Sequence, residues 1–127
     1  MIDFPMNPDL GIFLLRLAVA AVFLVHGLPK FGKLRGIAAG TGMPVLVVLL
    51  LALVESLSAL GLITGVLIQW SALGLMVVML GAISFKVFKW KVPFKADQMT
   101  GWEFDFMLLV SSIVILLTSG GSIKLWF

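Results

Sequence analysis

The sequence predicts an all-α integral membrane protein, a four-helix bundle of antiparallel, up-down-up-down topology. Three observations predict it. The 127 residues are 61% hydrophobic and 12% charged, where soluble domains average about 45–50% and about 25%. A mean hydropathy of +1.20 excludes an ordinary soluble globule, a disordered tail and a nucleic-acid-binding module. Four apolar runs also approach the length of about 20 residues that a bilayer-spanning helix needs.

The first run extends from Leu10 to Pro29, the second from Met43 to Gly65, the third from Leu67 to Phe88. The fourth, Trp102 to Ser119, is the shortest. They fill about two thirds of the chain, so residues 1–127 are expected to form a single transmembrane domain. Asn7-Pro8-Asp9 supplies a cap and a first-turn proline ahead of the first span. Pro29 and Gly32 end it, and Gly40-Thr41-Gly42 with Pro44 mark the second entry. Thr100-Gly101-Trp102-Glu103 has capping-box spacing, and Gly120-Gly121 provides a stop. The first nine residues carry no Lys or Arg and the first span is long for a signal sequence, so that span is expected to stay in the mature protein.

Charge gives the expected orientation. Lys30, Lys33 and Arg35 follow the first span; Lys86, Lys89, Lys91 and Lys95 follow the third; the other side offers Lys124. The positive-inside rule then places loops 30–42 and 86–101 in the cytoplasm and both termini outside. Lys86, Lys89, Lys91 and Lys95 interleave with Phe85, Phe88, Trp90 and Phe94, a composition suited to a cytoplasmic interface anchor in the headgroup layer. A partner's docking site is the alternative. Trp126 and Phe127 are expected to anchor the far surface.

With no cysteine and one histidine, thiolate catalysis, cysteine-ligated zinc and iron–sulfur clusters are excluded. An all-protein haem or copper site is disfavoured. The ionisable residues inside the spans remain, each costing about 2.5–3.5 kcal/mol on insertion scales. Arg16 lies 13 residues before Pro29, and Glu55 lies 12 after Met43. Both depths are roughly 18–20 Å from the inner boundary. This predicts a buried Arg16–Glu55 ion pair between spans one and two. Its structural role would be to lock helix register; its functional role would be to bind an anionic or quinone-like headgroup or to relay protons.

A second polar cluster is expected near the cytoplasmic boundary. His26 and Lys30 end the first span one turn apart, and Glu103 and Asp105 open the fourth. A histidine–carboxylate pair there could serve a quinone oxygen or a proton. Capping by Glu103, helix-dipole stabilisation of Asp105 and snorkelling of Lys30 are the structural alternatives. One histidine and two carboxylates have no metal-ligand spacing, so no metal is expected. Gly61 and Gly65, Gly74 and Gly81, and the serines read as helix-packing positions. The methionines read as filler.

Leu15-Arg16-Leu17 followed by Val22-Phe23-Leu24-Val25-His26-Gly27-Leu28-Pro29-Lys30 resembles the first-span signature of the DoxX family. Gly42-Met43-Pro44, Glu55 and Gly61-Leu62-Ile63-Thr64-Gly65 resemble its second span, and Gly101-Trp102-Glu103-Phe104 the acidic start of its fourth. The tail Gly120-Gly121-Ser122-Ile123-Lys124 departs from the family's usual ending. The resemblance implies a four-helix bundle in the inner (cytoplasmic) membrane of a prokaryote. Relatives are linked to a thiosulfate:quinone oxidoreductase, and Arg16, His26, Lys30, Glu55 and Glu103 fall on positions resembling the family's recurrent polar ones. Three expectations follow. The first is an accessory subunit packed on partner membrane subunits of a redox or quinone-linked complex. The second is a quinone-binding oxidoreductase subunit. The third is a small-solute or proton transporter. The residues themselves specify no cofactor; quinone is the candidate ligand.

Overall fold

A computed structural model describes residues 6–95 and 101–123. Among them all regular structure is helical, in five α-helices and no strand. Helix α1 is Pro8–Gly27, α2 Leu34–Thr41, α3 Val45–Thr64, α4 Ile68–Ser84 and α5 Trp102–Leu117. A 3₁₀ turn, Leu28–Gly32, prolongs α1, and a π turn, Phe85–Lys89, prolongs α4. With these turns, α1 and α4 run 25 and 22 residues; α3 runs 20. These three are long and apolar enough to cross a membrane.

The fourth expected span is shorter than the run Trp102 to Ser119. Helix α5 has 16 residues, about 24 Å of rise against a hydrocarbon core of about 30 Å. The chain leaves the helix at Thr118, and Gly120 takes a left-handed φ of +72°. Gly101 is the N-cap of α5 and no side chain caps it. The helix thus starts one residue later than the expected capping box requires, and Thr100 lies outside the described residues.

At α1 the local signals operate as their chemistry requires. Asn7 is the N-cap, its side-chain oxygen accepts from Leu10 N at 3.1 Å, and Pro8 takes the first turn. The segment between the first two long helices, expected to be a loop, instead contains α2. Its Leu34, Ile37 and Ala38 recur at helical spacing, and the helix packs against α3.

Helix α1 packs on α3, α3 on α4, α4 on α5, and α5 back on α1. Successive long helices run antiparallel: Gly61 of α3 meets Ser71 of α4, while Gly74 of α4 meets Ser58 of α3. Ala20, Ala52, Ala59 and Ala72 are fully buried where backbones approach, with Phe23, Leu62, Leu75 and Ile115 filling the centre. Large apolar side chains such as Leu14, Leu46, Leu57, Val77 and Leu117 point outward, an arrangement that suits lipid as the solvent. Lys30, Lys33, Arg35, Lys86, Lys89, Lys91 and Lys95 lie on the segments at one end of the molecule, the basic end.

Candidate functional site

The site begins with a close helix approach. Gly27, the last residue of α1, faces α3 so tightly that a Cβ there would stand 3.1 Å from Glu55 Cβ and 2.9 Å from Ser56 Oγ. Only glycine leaves this room. The contact sets Glu55, midway along α3, level with the C-terminus of α1. The 3₁₀ turn then carries Lys30 back over the carboxylate, with Lys30 Nζ 2.6 Å from both Glu55 oxygens. The Glu55 side chain is 4% exposed and that of Lys30 23%.

A second pair faces it. Lys86 Nζ stands 2.6 Å from Asp105 Oδ2, an ion pair whose angles fall outside hydrogen-bond geometry. Lys86 belongs to the π turn, where Trp90 N donates to Phe85 O at 2.8 Å; such turns occur frequently at functional sites. Asp105 belongs to the first turn of α5, where the helix dipole favours a carboxylate.

Both pairs and His26 line one cavity of about 190 Å³, closed by apolar side chains including Phe23, Met79, Phe104 and Leu108. The His26 ring lies 5.5 Å from that of Phe104. Apolar walls lower the local dielectric and strengthen every polar contact inside. The lysines supply donors, the carboxylates acceptors, and histidine either. The cavity can therefore hydrogen-bond a compact polar group and exchange protons with it.

Several expected contacts are corrected. Arg16 and Glu55 do not pair. Arg16 lies eleven residues before Gly27, about 16 Å along α1, and Gly27 is the residue beside Glu55. The sequence-based depths assumed that Pro29 and Met43 share one level. The start of α3, with α2 packed on it, instead runs past the end of α1. Arg16 is fully buried at the opposite end. Its Nε donates to Leu62 O at 2.8 Å and its Nη1 to Gly120 O at 3.2 Å. Nη1 also donates to Ile123 O, and the guanidinium carbon lies 5.2 Å from the centre of the Phe13 ring.

Of the expected cluster, His26, Lys30 and Asp105 share the cavity, whereas Glu103 is exposed and does not line it. Lys86 is drawn inward to Asp105, away from the headgroup-facing position expected of it. Lys89 donates to Thr41 O at 3.1 Å, and Trp90 packs 5.5 Å from Phe85. Lys91 and Lys95 are exposed. Of the two residues missing from the expected cluster, Glu55 and Lys86, Lys86 had a legible signal. Lys86 and Asp105 close one antiparallel hairpin at matching depth. Among the described residues, no group of three or more His, Asp or Glu side chains stands close enough to share a metal ion.

The comparisons with known proteins agree on a family. The DoxX family model matches residues 11–90. A Bacillus subtilis (strain 168) protein named "Putative oxidoreductase CatD" is 33% identical over 113 residues, spanning 87% of this chain and 80% of that protein. No solved structure matches the chain. The family match covers His26, Lys30, Glu55 and Lys86, while Asp105 on α5 lies beyond it. The chain belongs to the DoxX family and is a membrane protein of that family.

Proposed function

We propose that this DoxX-family chain is a quinone-binding accessory subunit of a larger redox complex in the inner membrane. The observation that carries the reading is the convergence of His26, Lys30–Glu55 and Lys86–Asp105 on one cavity with apolar walls. A quinone oxygen is an acceptor that can take a hydrogen bond from either ammonium or from His26. Reduction to the quinol consumes two electrons and two protons. The ionisable side chains of the cavity would carry the protons. The chain has no cysteine, so thiol chemistry cannot deliver the electrons, and a redox centre in the partner subunit supplies them. The name of the Bacillus subtilis relative supports an oxidoreductase setting.

In this reading α5 is the short fourth span of a four-helix bundle, and the outward apolar faces contact lipid and partner helices. The basic end faces the cytoplasm, with both termini outside. The test is purification from native membranes in mild detergent, with quinone extraction and native mass measured together. Quinone and a partner subunit should co-purify. A Lys30→Met/Glu55→Leu double variant should remain folded and lose the quinone. A wild-type protein that elutes alone and binds no added quinone overturns the reading.

A further inference from the structure

The polar cavity is too small to be a complete ligand site. Small-molecule pockets run about 300–1,000 Å³, and this one is about 190 Å³. Beside it lies an apolar groove of about 640 Å³ between α2, α3 and α4. Lys30, Glu55 and Ala82 line both spaces, so the ion pair stands at the partition between a polar chamber and an apolar one.

The groove's walls include Leu51, Val54, Val77 and Val78, and Phe85 and Trp90 lie at its basic end. Across that end Lys89 reaches from the π turn to the last carbonyl of α2, donating to Thr41 O. The rim toward the bilayer is open: Val77 is 69% exposed and Leu50 52%. On the groove wall of α4, Gly81 has empty space where a side chain would start, since a Cβ there meets nothing within 4 Å. Its mostly apolar walls offer water few hydrogen-bond partners. It fits a hydrocarbon chain entering sideways from the membrane.

We propose that the α2/α3/α4 groove seats the apolar tail of the ligand whose head occupies the polar cavity, which makes the ligand a long-chain isoprenoid quinone of the membrane pool. This rests on the quinone reading and narrows it. A short-chain or soluble quinone would leave the groove unused. The tail already lies in hydrocarbon before binding, so its gain comes from packing rather than from leaving water. The expected preference for a long chain is therefore moderate, about tenfold in Kd.

The experiment measures binding of two quinones with the same ring, one chainless and one with an isoprenoid tail, to the full chain in zwitterionic nanodiscs. Wild type should favour the long-chain compound. Gly81→Phe, which fills the groove, should abolish that preference and leave chainless binding unchanged. Gly81→Ala should behave as wild type. Val77→Trp at the rim serves the same purpose if Gly81→Phe does not fold. A preference that survives the filling variants overturns the tail site, as does equal binding of both compounds by wild type. Loss of a co-purifying phospholipid in Gly81→Phe, with quinone binding intact, would assign the groove to a lipid chain instead. Failure of both quinones to bind wild type overturns the quinone reading itself, a result distinct from the other three.

Discussion

The two ends of this molecule bury charge in opposite ways. At one end Arg16 makes no ion pair with a carboxylate among the described residues. Its guanidinium is held by backbone carbonyls: that of Leu62, among the last of α3, and those of Gly120 and Ile123 beyond α5. A helix C-terminus carries roughly −0.5 of an elementary charge, so two such ends offset most of one cation, and the carbonyls there lack helical partners in any case. At the basic end the two cations that turn inward, Lys30 and Lys86, each meet a carboxylate, and the two pairs stand around a cavity rather than within solid packing. The difference teaches that burial alone does not mark a functional charge. Arg16 ties helix ends and tail together, whereas the paired lysines face open volume and can meet a ligand.

Breaking the basic end at one partner should have the largest effect. Lys30→Met leaves Glu55, its side chain 4% exposed, without its partner, which should cost about 3–5 kcal/mol in unfolding from detergent. Adding Glu55→Leu should recover most of that stability while quinone retention stays lost. If the double variant stays as unstable as the single one, the pair is a structural element like Arg16, and the contrast between the ends disappears.

Arg16→Leu should come next, at on the order of 3 kcal/mol, because buried carbonyls lose their donors. Arg16→Lys should restore part of this, since it keeps the charge without the planar fork. Neither change should alter quinone affinity once stability is matched. A parallel fall in affinity would show that the two ends are coupled.

The smallest effect is expected at Glu103→Gln. Its side chain is exposed and outside the cavity, so stability should move by less than about 0.5 kcal/mol, with quinone retention unchanged. A clear loss of quinone would place Glu103 within the site and redraw its boundary.

Much of the fold was legible because its signals are local. The Asn7 cap needs only neighbouring residues, and the membrane character of α1, α3 and α4 needs only apolar length. The pattern in Leu34–Thr41 was also present, but short amphipathic helices are overshadowed by the spans around them. The site was half legible. His26, Lys30 and Asp105 lie near helix ends, where distance from a boundary is a safe guide, and they do meet at one cavity. Arg16 and Glu55 lie mid-helix, where an error in the starting level shifts the partner by several turns.

The sequence by itself determined the helical membrane class and the concentration of basic residues at one end, because composition, cap chemistry and charge are properties of short segments. Only the tertiary structure decided which charges pair. That choice depends on how far α3 slides along α1, and the slide is set by the bare Cα of Gly27 against Glu55 and Ser56 and by α2 packed beside α3. Those contacts join residues distant in the chain, so no local pattern specifies them.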